Sequence, residues 1–134
     1  MKIFQWPVRI YYEDTDNGGV VYHTNYLKFM ERARTEQFRS YGIEQDKLIK
    51  EDKIIFAVRS LNVDYLKPAH FNDMLEVSSR LSQVGKASLV FKQAISRSED
   101  DTLLCEAEVK VACLSVDGLR PCAIPSHIMN EIKL

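Results

Sequence analysis

The chain is predicted to form one α+β domain, spanning residues 1–134, in which a single long helix packs against an antiparallel sheet. Its 134 residues, 46% of them hydrophobic, are enough for one domain with its own core. Helical periodicity marks one long segment in the first third, and four alternating segments follow it without another long helix. Consecutive strands joined by short turns pair antiparallel, and the helix must bury its apolar face against them.

A strand and a polar loop are predicted at the start of the chain. Residues 4–13 alternate in polarity, as a half-buried strand does. Pro7 near its beginning is typical of an edge strand or of the start of a strand. Residues 14–19 are polar and end in two glycines, which predicts a tight loop.

The long helix is predicted to begin at Thr24 or Asn25, because either side chain can cap a helix N-terminus. Apolar side chains then recur at helical spacing up to Tyr41, and Gly42 is a plausible stop. A shorter helix is predicted over residues 44–51.

Four strands are predicted in the remainder of the chain. They cover residues 55–65, 75–81, 89–95 and 103–116. Asp117 and Gly118 mark a final turn, and Ser126 is expected to cap a short C-terminal helix. A sheet of this kind leaves an exposed edge strand, and pairing that edge with a second copy predicts a homo-oligomer.

Charge and hydropathy exclude several function classes. The formal net charge is −1, with 18 Lys and Arg against 19 Asp and Glu, and no basic run stands out. Nucleic-acid binding needs a concentrated basic face, so nucleic acid is not expected as a partner. No apolar run has the length of a signal peptide or of a transmembrane helix, which predicts a cytoplasmic protein without stable membrane insertion.

The cysteines predict neither a disulfide framework nor a zinc site. Cys105, Cys113 and Cys122 are odd in number and contain no close pair. Cys105 and Cys113 lie eight residues apart on one predicted strand and therefore on one face, where they are expected to pack as small apolar side chains. No metal or redox cofactor is expected.

The loop before the long helix carries the densest chemistry in the chain. Glu13, Asp14 and Asp16 fall within four residues, and paired glycines and a histidine follow. A solvated acidic turn is one interpretation. A calcium-binding EF-hand is rejected, because its fifth and twelfth positions, counted from Asp14, hold Gly18 and Asn25. A phosphatase-type Asp-x-Asp nucleophile usually lies in a parallel sheet, which the strand order does not support.

A hydrolytic site fits the same loop better. Gly18 and Gly19 have no Cβ, so the backbone can pass close to a ligand. The helix that follows presents unpaired N–H groups and the positive end of its dipole, which can stabilise an oxyanion in acyl transfer. A carboxylate a few residues away can act as base or nucleophile.

These residues resemble the 4-hydroxybenzoyl-CoA thioesterase family, and most closely its bacterial branch encoded with the Tol-Pal cell-envelope system. The resemblance covers nearly the whole chain, and the loop motif is specific only in combination. The residues that carry it are Tyr12-Glu13-Asp14-Thr15-Asp16, Gly19-Val20-Val21-Tyr22-His23, Asn25-Tyr26, Glu31-Arg32-Ala33-Arg34, Phe56-Ala57-Val58-Arg59, Asp73-Met74-Leu75-Glu76, Ser88-Leu89-Val90-Phe91 and Glu106-Ala107-Glu108-Val109.

The resemblance implies a hotdog fold, in which a curved antiparallel sheet wraps around one long central helix. It implies dimers, often paired into homotetramers, with active sites at subunit interfaces. The family's catalytic aspartate corresponds to Asp16, and the backbone N–H that polarises the thioester carbonyl belongs to His23. The choice between nucleophile and general base stays open for Asp16. The His23 imidazole has three possible roles: a hydrogen bond to the substrate, one to Asp16, or fixing the loop.

Further residues are expected to bind substrate by the same resemblance. They are Tyr12, Gly19, Val20, Tyr22, Arg59 and Lys86, with Lys92 as an additional candidate. Some relatives hold the nucleotide phosphates with a basic cluster near position 86, and only Lys86 is present here.

Acyl-CoA hydrolysis is the leading hypothesis for function, without a fixed acyl-chain length. Two alternatives stay open: a hotdog dehydratase that acts on acyl carrier protein, and a non-catalytic acyl-binding partner linked to the cell envelope. Release of free thiol from acyl-CoAs distinguishes them. Acyl carrier protein is kept as a candidate partner alongside acyl-CoA.

Overall fold

Five strands form one antiparallel sheet in the computed structural model, which describes residues 2–132. The strands are β1 (Phe4–Arg9), β2 (Ile54–Tyr65), β3 (Met74–Val84), β4 (Ser88–Arg97) and β5 (Thr102–Ser115). Their order across the sheet is β1-β3-β4-β5-β2, and every neighbouring pair is antiparallel. The predicted α+β class and the antiparallel pairing are confirmed, and β1 and β2 are the two edges.

The first strand is shorter than predicted. It ends at Arg9, and a 3-10 turn over Tyr12–Asp14 replaces the last part of the expected strand. The Asp14 carboxylate accepts a hydrogen bond from the Tyr11 backbone N–H at 2.8 Å, and this contact closes the turn. Pro7 lies on an edge strand, as predicted, because β1 pairs only with β3.

The long helix α1 covers His23–Ser40 and begins earlier than predicted. Tyr22 occupies the capping position and makes no side-chain cap hydrogen bond. The Asn25 side chain donates instead to the Asp14 carbonyl oxygen at 2.9 Å, which fixes the preceding loop to the first turn of the helix. At the other end, Gly42 adopts a φ of +83°, so the predicted stop is confirmed.

The concave side of the sheet and one face of α1 enclose the core. The buried apolar side chains of α1 are Tyr26, Phe29, Met30, Ala33 and Phe38. The side chains of the sheet that are fully enclosed with them include Leu75, Val77, Leu81, Leu89, Phe91, Ile95, Cys105, Val109 and Cys113. The expectation that Cys105 and Cys113 pack as small apolar residues is confirmed.

The remaining helices are short. The predicted helix over 44–51 is split into α2 (Gln45–Lys47) and a π turn over Leu48–Asp52. The C-terminal helix α3 covers Ser126–Glu131, so Ser126 is its first residue and not its cap. Among residues 2–132, none of the helices combines the length and apolar content that a membrane crossing requires.

The edge strand β2 is long and poorly covered. A β-bulge at Arg59 interrupts its pairing with β5, between Val58 and Ser60. Val58 and Leu61 pair with core residues of β5 and face the helix side, yet they are 51% and 43% exposed. This is the exposed edge expected from the sequence.

Tyr26→Phe tests how the loop before β3 is held against α1. The Tyr26 hydroxyl is buried and accepts the backbone N–H of Ala69 at 2.9 Å, and Ala69 is itself fully buried. Phenylalanine leaves this N–H without a partner, so we expect the free energy of unfolding to fall by about 1–3 kcal/mol. Tyr12→Phe is the control, since Tyr12 is 81% exposed and the same change there should cost less than about 0.5 kcal/mol. Urea denaturation of both variants measures the difference, and equal stabilities would contradict the assigned hydrogen bond.

Candidate active site

The acidic loop folds into a narrow turn that presents Asp16 at its tip. Thr15 and Val21 pair as an antiparallel bridge. Within this bridge the Asp16 N–H donates to the Val20 carbonyl at 2.9 Å, and the Gly19 N–H donates to the Asp16 carbonyl at 3.1 Å. Gly19 has a φ of +79°, a conformation that glycine adopts without steric cost. The turn itself therefore favours glycine at position 19.

One oxygen of the Asp16 carboxylate accepts a hydrogen bond, and the other is exposed. Its Oδ1 accepts the Gly18 N–H at 2.8 Å, which orients the side chain. Its Oδ2 has no hydrogen-bond partner within residues 2–132. The side chain borders an open pocket of about 530 Å³, lined also by Tyr12, Gly19 and Phe71. An oriented, solvent-reachable carboxylate oxygen is suited to attack a carbonyl carbon or to deprotonate water.

The N-terminus of α1 offers a hydrogen-bond donor close to this turn in sequence. The first helical N–H is that of His23, and it has no acceptor in the part of the chain that the structure describes. The first N–H groups of a helix lack intrahelical partners and lie at the positive end of the helix dipole. The His23 amide can therefore donate to an oxygen on which negative charge develops.

The His23 imidazole packs between aromatic rings. Its centroid lies 4.6 Å from that of Tyr22 and 6.0 Å from that of Tyr65. The Tyr65 hydroxyl donates to the His23 carbonyl oxygen at 3.1 Å. Within residues 2–132 no hydrogen bond joins the imidazole to Asp16. His23 borders a cavity of about 250 Å³ that also contacts Val21 and Tyr26, so the two predicted catalytic residues line separate openings of one protomer.

Backbone contacts with a distant segment anchor the loop, and the sequence patterns do not predict them. Val20 pairs with His70 as an isolated bridge, and the Val21 N–H donates to the Ala69 carbonyl at 2.9 Å. Arg97 holds this segment in turn, donating to the Pro68 carbonyl at 2.9 Å and to the Asp73 carboxylate at 3.1 Å. These partners lie about 50 residues or more from the loop, so no local pattern could have revealed them.

Among the predicted substrate-binding residues, Tyr12, Gly19, Val20 and Tyr22 belong to the loop itself. The Tyr12 ring lies edge-on to Phe71 at 5.8 Å, and both border the Asp16 pocket. Phe71 belongs to no sequence motif, and only the fold brings it to the pocket that Asp16 borders. The structure therefore groups Tyr12 and Gly19 with Asp16, whereas Tyr22 packs on His23.

The predicted basic residues lie away from Asp16 within one protomer. Lys86 is in the turn after β3, whereas the acidic loop contacts the residues just before β3. Eleven strand residues at about 3.3 Å each separate these two ends by about 33 Å. Arg59 lies at the bulge of the edge strand, and Lys92 is exposed on the face of β4 opposite α1. None of these three residues lines the pocket that Asp16 borders.

The buried thiols are poor nucleophiles. Burial raises the pKa of Cys105 to about 12, and the charges of Asp64 and Glu106 raise it further. Burial also raises the pKa of Cys113 to about 12, with a contribution from Cys122, whose sulfur lies 3.7 Å away. Thiolates are the reactive form of cysteine, so both residues stay unreactive near neutral pH.

Sequence relatives of this chain are acyl-CoA thioesterases. It is 47% identical over 131 residues to acyl-CoA thioester hydrolase YbgC of Escherichia coli O157:H7, which covers 98% of this chain and 96% of the relative. It is 43% identical over 125 residues to acyl-CoA thioesterase YbgC of Haemophilus influenzae, covering 93% and 90% of the two chains.

Solved structures share the fold. A mutant of 4-hydroxybenzoyl CoA thioesterase complexed with 4-hydroxybenzoyl CoA superimposes with a TM-score of 0.92, covers 98% of this chain and 99% of that chain, and is 21% identical. A probable thioesterase from Bartonella henselae has a TM-score of 0.86, covers 92% of this chain and 100% of that chain, and is 31% identical. The predicted hotdog architecture is confirmed.

Residues 11–132 match the family model described as the thioesterase-like superfamily. This match, together with relatives at 47% and 43% identity over almost the whole chain, shows that the chain belongs to the thioesterase-like superfamily.

Proposed function

We propose that the protein hydrolyses acyl-CoA thioesters to a free acid and coenzyme A, with Asp16 as the catalytic carboxylate. The observation that carries this proposal is the 47% identity to an acyl-CoA thioester hydrolase over 98% of the chain. The loop geometry supports it, because one short segment supplies both an exposed, oriented carboxylate and an unpaired helix N–H.

In the proposed mechanism the thioester carbonyl oxygen accepts the His23 N–H. The negative charge that develops on this oxygen is stabilised by that donor and by the dipole of α1. Asp16 either attacks the carbonyl carbon, forming an anhydride that water then cleaves, or removes a proton from the attacking water. In both routes the C–S bond breaks, coenzyme A leaves as a thiolate and takes up a proton, and Asp16 must be ionised.

The active site is proposed to lie between subunits of a homodimer or homotetramer. Two observations support this proposal: β2 is a long uncovered edge, and Asp16 and His23 line separate openings of one protomer. A second copy beside β2 would enclose the space between these openings. It would also allow Lys86 or Arg59 of another subunit to approach the coenzyme A phosphates.

The cellular setting is part of the proposal. The protein is proposed to act in the cytoplasm, in association with the Tol-Pal system, on acyl-CoA or on acyl carrier protein thioesters. The support is the resemblance of the loop and helix motifs to the Tol-Pal-associated branch.

Purified protein is expected to release coenzyme A from at least one acyl-CoA without added metal. The reason is that the proposed carboxylate and oxyanion donor are both supplied by the protein. A thiol reagent measures release over a panel of short aliphatic, long aliphatic and aromatic acyl-CoAs, each with and without EDTA. Loss of turnover in EDTA and its recovery with a divalent ion would contradict this mechanism.

Asp16→Asn is expected to lower turnover by at least about 100- to 10,000-fold, the usual contribution of general-base catalysis. Asparagine keeps the size and part of the hydrogen bonding of aspartate but is a poor nucleophile and base. His23→Ala keeps the backbone N–H, so its turnover should fall only roughly tenfold if the imidazole positions substrate. Asp117→Asn is the matched control, because it makes the same change at an exposed site after β5.

Steady-state turnover is measured for each variant with the acyl-CoA that the wild-type protein hydrolyses fastest. Circular dichroism checks that each variant is folded, and its molecular mass in solution checks the assembly. A folded Asp16→Asn variant with near wild-type turnover would overturn the assignment of Asp16. A His23→Ala variant as inactive as Asp16→Asn would make the imidazole an obligatory partner in the reaction.

A further inference from the structure

The hydroxyl of Tyr65 contacts the start of α1, next to the proposed oxyanion donor. Tyr65 is the last residue of β2, and its hydroxyl donates to the His23 carbonyl oxygen at 3.1 Å. Its ring also lies edge-on to the His23 imidazole, with the ring centroids 6.0 Å apart. None of the motifs that carry the family resemblance includes Tyr65, and the proposed mechanism gives it no role.

Hydrogen bonds restrain the peptide groups on both sides of the His23 Cα. The group before it contains the Tyr22 carbonyl and the His23 N–H, and this carbonyl accepts the Asn25 N–H at 2.9 Å. The His23 N–H itself has no acceptor within residues 2–132. The group after it contains the His23 carbonyl, which accepts the Tyr65 hydroxyl. Because each peptide group is planar, these two bonds together set the direction of the His23 N–H.

The first turn of α1 depends on contacts from outside the helix. Tyr22 occupies the capping position and makes no side-chain cap hydrogen bond. Helix ends fray, and a side-chain cap typically stabilises the first turn by about 1 kcal/mol. Without such a cap, the Tyr65 hydroxyl and the bond from Asn25 to the Asp14 carbonyl hold this turn in place.

The sheet gives Tyr65 a fixed position from which to hold the helix. Its backbone pairs with Cys105 of β5, and the next two N–H groups, of Leu66 and Lys67, donate to the Leu104 carbonyl at 2.8 and 3.1 Å. Burial raises the pKa of Tyr65, with a further contribution from Cys105. The hydroxyl therefore keeps its proton and remains a hydrogen-bond donor at neutral pH.

We propose that Tyr65 is a positioning residue for thioester hydrolysis, whose hydroxyl fixes the first turn of α1 so that the His23 N–H points at the thioester carbonyl oxygen. This inference rests on the proposed function and adds a residue to it. The hydroxyl acts on the backbone and does not contact the reacting atoms. An oxyanion donor acts mainly on charge that develops in the transition state, so its displacement lowers kcat more than it weakens substrate binding.

Tyr65→Phe removes the hydroxyl and keeps the ring beside His23. We expect kcat to fall at least about fivefold, which is less than the loss of about 100- to 1,000-fold that follows removal of a whole oxyanion donor. KM should change by less than about twofold. Tyr41→Phe is the matched control, because the Tyr41 hydroxyl accepts the Gln37 side-chain amide at 2.9 Å at the other end of α1. This control can lower stability, but its kcat should stay within about twofold of wild type.

A double variant shows which part of His23 the hydroxyl serves. The backbone N–H is present both in wild type and in His23→Ala, so Tyr65→Phe should lower kcat by the same factor in each. If the effect of Tyr65→Phe disappears in the His23→Ala background, the hydroxyl acts through the imidazole, and the proposed role in positioning the N–H is wrong.

Infrared difference spectroscopy observes the N–H contact without turnover. The probe is the one of acetyl-CoA, palmitoyl-CoA and benzoyl-CoA that wild type hydrolyses fastest, isotope-labelled at its carbonyl carbon and bound to Asp16→Asn. Its carbonyl stretch should lie at lower frequency than in water, because a strong hydrogen bond weakens the C=O bond. Adding Tyr65→Phe should move the band back toward its position in water, and an unchanged band would refute the positioning role.

The kinetic constants, with circular dichroism of every variant, separate the remaining outcomes. A lower kcat at unchanged KM in Tyr65→Phe, with near wild-type kcat in Tyr41→Phe, would support the inference. Near wild-type kcat in Tyr65→Phe would refute it and leave the proposed hydrolysis standing. Equal losses in the two variants, or loss of the fold in Tyr65→Phe, would make the hydroxyl a structural contact only. A wild type that hydrolyses no acyl-CoA would refute the proposed function and this inference together.

Discussion

The junction between the acidic loop and α1 depends on one carbonyl oxygen, that of Asp14. It accepts the Tyr22 N–H at 3.0 Å and the Asn25 side-chain amide at 2.9 Å. These two bonds set where the helix begins and bring the loop back against its first turn. The Asp14 carboxylate closes the preceding 3-10 turn through Tyr11, so a single residue links the strand, the loop and the helix. The position of Asp16 relative to the helix N-terminus follows from this junction.

The helix can hold that position because its opposite face is anchored in the core. Tyr26, Phe29 and Met30 are buried within two turns of the N-terminus, and burial of each such side chain contributes about 1.5–3 kcal/mol. The first N–H groups of α1 are thereby held at the surface on a rigid element. Donors fixed before substrate arrives need little reorganisation as charge develops in a transition state.

Local patterns in the sequence predicted the sheet, the long helix and the acidic loop. Alternation of residue types located β2 to β5 to within a few residues, and in β3 and β4 the inward and outward positions also alternate in burial. The start of α1 was misplaced because Asn25, a good capping residue, is used to bind the Asp14 carbonyl. The end of β1 was misplaced because the 3-10 turn is closed by a side-chain contact that alternation does not register.

The candidate site was only partly predictable. Asp16 and His23 stand in a recognisable motif, whereas Phe71, Tyr65 and Arg97 reach the site through pairings of distant segments.

The central claim is that one thioester lies between the Asp16 carboxylate and the His23 amide. A crystal structure of the Asp16→Asn variant with a bound acyl-CoA tests it most directly. The account predicts the carbonyl oxygen at about 2.7–3.1 Å from the His23 nitrogen. It also predicts the side chain at position 16 within about 3.5 Å of the carbonyl carbon or of a water beside it. A thioester bound away from the α1 N-terminus, with the His23 N–H bonded to another group of the protein, would contradict it.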